Sequence, residues 1–237
     1  MNKVINSVLL ILSLFVTSTI TLTYARYVNN VQGIAGENAF LGTFYTGTTI
    51  SIVGDSADTL ATIYDDETFF SQDTKYRWTN WSDDDSKRGT TVSMTLGWEE
   101  PIVLDQVMMY FFIDHKGCDF PELISLSYYN FTTDSYIEIT SDDYSMTTNY
   151  TDTYRLGSDG FRYIEFEGSN SYTKIDHNYT GVCPYHSYVF KNEISTTAFR
   201  FSLKGSTTKT IEGKSGFFVG LTELQLYNNG TLLNIEP

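Results

Sequence analysis

Histidine is scarce, basic residues are outnumbered, and the short motifs of the common catalytic classes are missing. Only His115, His177 and His186 occur in 237 residues. There is no G-x-S-x-G elbow, no H-E-x-x-H, no P-loop and no Rossmann fingerprint. A glycosidase needs two carboxylates held across a bond. Acids are so plentiful here that no pair stands out, and this chain has no room for a second domain of typical glycosidase size. No catalytic residue is assigned, and the expectation is a protein that is not an enzyme. Lys and Arg total 15 against 29 Asp and Glu, a formal net charge of −14. Such a field repels phosphate backbones, which argues against nucleic acid as a partner. It also leaves few of the basic residues that lipid binding would use. No long amphipathic helix and no internal repeat is present. Charged residues make up 19% and apolar ones 41%, so disorder is not indicated.

What the chain has is aromatic residues, 16% of the total and mostly Tyr and Phe, which favour strands. Residues 48–53 are rich in Thr, Ile and Val. Val92, Met94 and Leu96 alternate onto one face, as do Ile124, Leu126 and Tyr128. Residues 107–113 are continuously apolar and are expected to form a central strand buried on both faces. Further strands are expected at 102–107, 136–139, 161–166, 188–190, 198–203 and 217–227. Residues 142–174, rich in Thr, Tyr and Ser, are read as an inserted hairpin or long loop. Many short strands at close spacing point to an all-β jelly roll or β-sandwich.

The chain opens with a cationic Met1-Asn2-Lys3, an apolar run over 8–20 and small residues before Ala25. Residues 1–25 are therefore expected to be a signal peptide or an N-terminal membrane anchor. A linker follows at 26–37, the domain at 38–229 and a tail at 230–237. The expected location is secreted or at the cell surface, with membrane contact only through the N-terminal segment if it is uncleaved. Cys118 and Cys183 are the two cysteines. In an exported protein an even pair favours a disulfide, worth about 4 kcal/mol on the chain-entropy model. A Cys₂His₂ zinc site with His115 and His186 is the alternative. Asn-x-Ser/Thr sequons stand at Asn80, Asn130, Asn149, Asn178 and Asn229.

Residues 64–81 carry the most information. They open on Asp65-Asp66-Glu67 and close on Arg77-Trp78-Thr79-Asn80-Trp81. The polar run between lacks apolar periodicity and reads as a long ordered loop, a kind that is usually functional inside a compact domain. Carboxylates beside two Trp suggest a cation site holding a loop that presents aromatic surface; core packing of Trp78 and Trp81 is the plainer alternative. Asp65, Asp66, Asp73 and Thr74 can together supply the oxygens a calcium ion wants. Asp83-Asp84-Asp85 is read as a solvated turn.

The acidic turn, the RWTNW segment, Pro101 to Val107, Tyr110-Phe111-Phe112-Ile113-Asp114, Pro121 and Tyr128-Tyr129-Asn130 follow in order. Thr196 to Phe201 and Gly220-Leu221-Thr222-Glu223-Leu224-Gln225-Leu226-Tyr227 complete the series. Across 38–227 this resembles the discoidin-like (coagulation factor 5/8 type C) superfamily, especially the galactose-binding-like modules appended to bacterial glycosidases. The turn departs from the family pattern in having no Gly. The resemblance implies a galactose-binding-like β-sandwich with Glu223 completing a structural calcium site. It implies that polar groups after the central strand, here Asp114, His115 and Lys116, face a sugar. An aromatic before the closing strand, here Phe217 or Phe218, would join them, and Trp81 could contribute from the opening loop. Each has a plainer role open to it: Asp114 as a turn cap, His115 as a cysteine neighbour, Phe218 as core. The expected function is non-catalytic binding of a glycan or glycoconjugate. The rival is a protein-binding module, adhesive or structural, whose partner could be a cell-surface protein.

Overall fold

A computed structural model describes residues 44–45, 49–53, 63–64, 66–114, 117–207 and 215–235. The expected N-terminal segment and linker lie outside the described residues. Among the described residues no helix is long and apolar enough to cross a membrane. They form thirteen strands: β1 (Phe44–Tyr45), β2 (Thr49–Val53), β3 (Trp78–Thr79), β4 (Thr91–Phe111), β5 (Glu122–Asn130), β6 (Ser135–Ile139), β7 (Tyr144–Thr148), β8 (Tyr150–Leu156), β9 (Arg162–Phe166), β10 (Thr173–Ile175), β11 (Tyr185–Lys204), β12 (Gly220–Asn228) and β13 (Thr231–Ile235). Two 3₁₀ turns, Thr74–Tyr76 and Asp85–Lys87, are the helical elements among them. The fold is all-β, as expected.

Two strands build the frame. β4 has 21 residues and β11 has 20, and they pair antiparallel along most of their length. A straight strand of 21 residues would run about 70 Å, against roughly 40 Å across a domain of this size. Both strands therefore bend. The ladder between them breaks between Val189 and Ile194 and again between Thr196 and Ala198. Pro101, which cannot donate to a ladder, falls in the second break, between the paired Gly97 and Ile102. Beyond the bends each strand takes new neighbours. One half forms the layer β2–β4–β11–β5–β6 and the other the layer β1–β13–β12–β4–β11–β7. The sequence reading divided β4 into three strands and β11 into two; each is one strand bent into both layers.

Alternation decides which face is buried. Val92, Met94 and Leu96 on β4 and Phe199, Phe201 and Leu203 on β11 are buried from one layer. Val107, Met109 and Phe111 on β4 and Leu224 and Leu226 on β12 are buried from the other. Each such side chain contributes roughly 1.5–3 kcal/mol. The 142–174 region is not one hairpin. Its first part is β7, which pairs with β11, and the rest is a separate antiparallel sheet in the order β10–β9–β8.

His186, beside Met109 in the register of β11, sits among aromatic rings. Phe111 lies 4.8 Å from it edge-on, and Phe120 and Tyr150 stack nearby. The Tyr150 hydroxyl lies 2.7 Å from its Nε2 and the Tyr188 hydroxyl 3.2 Å from its Nδ1. Burial pushes the imidazole pKa down to about 4. Below the ordinary value of about 6.5 the unfolded chain takes up a proton that the folded chain refuses until about pH 4. This contribution to stability is thus complete above about pH 6.5 and declines as pH falls toward 4, by up to about 3 kcal/mol. Urea midpoints across this range should show the decline. His186→Gln, which does not titrate, should remove that part of the slope; an unchanged slope would clear His186 of the effect.

Candidate functional site

The opening loop is fixed at both ends to β12. Leu224 donates its amide to the Ile63 carbonyl at 2.7 Å, and β3 pairs Trp78 and Thr79 with Leu221 and Gly220. Trp78 is completely buried, so it belongs to the core. Asn80 is buried as well: its Oδ1 accepts from the Val219 amide at 2.7 Å. Trp81, the next residue, is 45% exposed and remains available as a surface aromatic. Inside the loop Arg77 lies over the Phe112 ring at 4.0 Å and donates to Gln72 Oε1.

Beyond β4 the chain turns at Asp114. Its Oδ1 accepts from the amides of Gly117 and Cys118 at 2.6 and 2.7 Å. Asp114 is thus a turn cap, and it also borders a cleft described below. His115 and Lys116 lie outside the described residues. The expectation for Phe217 and Phe218 is overturned. They are 1% and 0% exposed, and each is covered by an arginine, Phe217 by Arg162 at 5.0 Å and Phe218 by Arg88 at 4.7 Å. Neither ring can meet a sugar.

The Arg162 that covers Phe217 also docks the β8–β10 sheet onto the body. Its Nε and Nη2 donate to the two carboxylate oxygens of Asp119 at 3.0 and 2.5 Å. Both side chains are buried, at 3% and 0% exposure. This docking leaves a cleft of about 150 Å³ lined by Gln72, Asp114, Phe161, Ile175, Asp176 and His177. Three chain segments meet there: the opening loop, the turn after β4, and the ends of β9 and β10. The lining offers an aromatic face, an apolar side chain, two carboxyl groups, an amide and an imidazole. Of the described residues assigned to sugar binding, only Asp114 borders this cleft. Gln72, Phe161, Asp176 and His177 were missed, and three of these four lie in or next to residues 142–174, read from the sequence as an inserted hairpin or long loop. Phe69, 53% exposed, was also missed. It pairs with Val182, 36% exposed, in an isolated bridge three positions before Gln72.

The residues proposed for calcium separate into two groups. Glu223 is 1% exposed on β12, between the two points where the opening loop is anchored. Asp66 stands at φ 62°, a left-handed turn that an Asp tolerates more readily than most residues. The Tyr227 phenol is pushed up by burial first and then by the negative charges of Asp66 and Glu223. Asp73 is placed otherwise. It caps the Thr74–Tyr76 turn by accepting from the Lys75 amide, and it pairs with the Lys75 ammonium at 3.2 Å in solvent. Thr74 is exposed beside it. Asp65 lies outside the described residues. Among the described residues no three His, Cys, Asp or Glu side chains cluster as metal ligands.

The expected disulfide is not formed. Cys118 and Cys183 are both buried thiols, and burial pushes the Cys183 thiol up to about 12, so it stays protonated. The zinc alternative fails at His186, whose two ring nitrogens are taken by Tyr150 and Tyr188.

No protein-family profile matches the chain, and no curated protein matches it in sequence. Solved structures do. The family 32 carbohydrate-binding module of C. perfringens NanJ, in complex with galactose, is 10% identical, covers 76% of this chain and 93% of its own, and gives a TM-score of 0.42. A third family 32 module from a family 31 glycoside hydrolase of Clostridium perfringens is 14% identical over 78% of this chain and 90% of its own, at 0.40. A second such module of a family 31 hydrolase, bound to GalNAc, is 14% identical over 78% of this chain and all of its own, at 0.39. The likeness is distant, and the fold stands on the strand pairing described above.

Asp119→Ala should leave the Arg162 guanidinium buried without its counterion, at a cost of about 3–5 kcal/mol. In a domain of this size that corresponds to a melting temperature lower by about 6–20 °C. The double variant Asp119→Leu/Arg162→Met should regain most of the loss. A single variant as stable as the parent would show that the pair does not hold the two sheets together.

Proposed function

We propose that this protein is a non-catalytic carbohydrate-binding module and that the cleft beside Asp114 holds the sugar. The observation that carries this is the cleft's lining. A sugar presents an apolar C–H face and a rim of hydroxyls, and it needs an aromatic surface with a few fixed polar groups. Phe161 supplies the ring, and Gln72, Asp114, Asp176 and His177 supply donors and acceptors. A volume of about 150 Å³ is below the roughly 300–1,000 Å³ of drug-sized ligand sites, which suits about one sugar unit. Trp81, exposed on the loop that follows β3, is a second aromatic at hand. The proposal includes the export expected from residues 1–25.

A structural calcium ion is the second part of the proposal. Glu223 and Asp66 would hold it with oxygens of the opening loop, and it would offset the cost of burying the Glu223 carboxylate. Asp73 and Thr74 are left out of the ligand set, because Asp73 is already engaged by Lys75.

Galactose and GalNAc, the ligands of the modules named above, are the first probes, followed by a glycan array. His177→Ala and Gln72→Ala should each weaken sugar binding by about tenfold, the loss of one or two polar contacts, and leave the melting temperature unchanged. A folded protein that stays silent across the array would shift the function to protein recognition, with the exposed Phe69–Val182 pair as the contact to mutate. For calcium, a chelator should lower the melting temperature by several degrees, since a ligand of the folded state alone stabilises it. Glu223→Gln should abolish the response. An identical melt with and without chelator would remove calcium from the account.

A further inference from the structure

The β8–β10 sheet has two faces. Arg162, Ile164 and Ile175 are buried against the body. The opposite face is turned to solvent. Arg155, Tyr163 and Lys174 lie opposite one another across the three strands, in one row. Phe161 and Tyr172, each just before the first residue of β9 and β10, join this face through their contacts with Lys174 and Arg155.

This face is held rigid by specific contacts. Asp159 accepts from the Tyr163 hydroxyl at 2.9 Å and from Lys174 Nζ at 2.9 Å. Lys174 keeps its Asp159 carboxyl ionised, down to about pH 2. Lys174 Nζ also lies 4.2 Å from the centre of the Phe161 ring, which lines the cleft. Gly157 makes the arrangement possible. A Cβ there would come within 2.4 Å of Asp159 Oδ1 and 2.5 Å of the Tyr163 ring. The Tyr163 ring is thus fixed at its hydroxyl and along its edge.

Against this fixed ring lies Arg155. Its guanidinium carbon is 5.0 Å from the Tyr163 ring centre and 5.0 Å from that of Tyr172, which is 40% exposed. Lys174 is neutralised by Asp159 and Asp176, whereas no acceptor for Arg155 occurs among the described residues. Arg155 is an exposed cation in a chain of net charge −14, positioned by two rings, with no anion paired to it among the described residues. At physiological salt, fields fade over about 8 Å, so the local cation and not the net charge meets a ligand on this face. A planar guanidinium presents paired N–H donors that match a carboxylate. The exposed Tyr172 ring adds a surface for the C–H face of a sugar.

Building on the sugar-binding reading of the cleft, we propose that the outer face of the β8–β10 sheet is a second subsite for a carboxylate-bearing sugar. Arg155 pairs with the carboxylate and Tyr172 stacks on the ring. Phe161 belongs to both this face and the cleft, so one glycan chain can run from one to the other. The ligand class is then an acidic oligosaccharide containing uronate-type residues.

The test compares a uronate trisaccharide, trigalacturonate, with its methyl ester, which has the same shape and no charge. Binding to the full-length protein is measured by calorimetry at low and high salt. The acid should bind about tenfold tighter than the ester at low salt, and the gap should narrow as salt rises. Arg155→Ala should cost the acid about tenfold and leave the ester within twofold, since Arg155 does not line the cleft. Tyr172→Ala should weaken both through the lost ring contact, and it serves as the second variant if Arg155→Ala folds poorly. Equal affinity for acid and ester, or an Arg155→Ala protein that binds the acid as the parent does, would overturn the subsite and leave the cleft standing. A folded parent that binds no sugar, neutral or acidic, would overturn both.

Discussion

The buried ion pair between Asp119 and Arg162 decides where the β8–β10 sheet sits on the body of the fold. Buried ion pairs rarely stabilise a fold compared with a well-packed apolar pair. Their strength lies in geometry. A bidentate guanidinium–carboxylate contact fixes distance and plane together. Here it sets β9, and with it β8 and β10, at one position against the turn that follows β4. Phe161, Asp176 and His177 reach Asp114 and Gln72 because of that placement. The same guanidinium lies over Phe217 and seals a ring that would otherwise be a large exposed apolar surface.

The opening loop obeys a second constraint. A polar segment of this length would lose much backbone entropy on ordering. It is held because both ends are hydrogen-bonded to one strand, at Leu224 and at Gly220–Leu221. Its middle is fastened elsewhere: Phe70 donates to Gly181 and Cys183 donates to Thr68. Phe70 stacks on Phe112 at 5.2 Å, and Arg77 covers Phe112 as well. The loop therefore closes over the outer face of β12, where Glu223 is buried.

Strand existence and facing were legible in the sequence because both follow from alternation. Val92, Met94 and Leu96 point inward as their spacing requires, and residues 107–113 are buried apart from the half-buried Met108, in keeping with their continuous apolar run. Strand continuity was not legible. Pro101 looks like an end, yet β4 passes through it where the ladder is already broken. Exposure of single aromatics was not legible either. Phe217, Phe218 and Phe69 look alike in sequence. Their fates are set by Arg162, Arg88 and Val182, residues distant along the chain. Asp73, expected among the calcium ligands, is engaged by its neighbour Lys75, a local contact visible in the sequence as Asp-Thr-Lys. The cleft drew on residues 161 and 175–177, where Thr, Tyr and Ser carry no hydrophobic pattern from which to infer contacts.

Sharing β4 and β11 between the two layers has a consequence for how the chain reaches this structure. The pairs along these strands join residues about 80 to 110 positions apart, such as Met109 with His186 and Val92 with Leu203. Each layer has a local hairpin, β5–β6 in one and β12–β13 in the other, but the central pair of both is the long-range β4–β11 ladder. The ends of two bent strands must find each other across most of the domain before either layer has its central pair. Formation is expected to be slow and all-or-none, with the two layers appearing and vanishing as one cooperative unit.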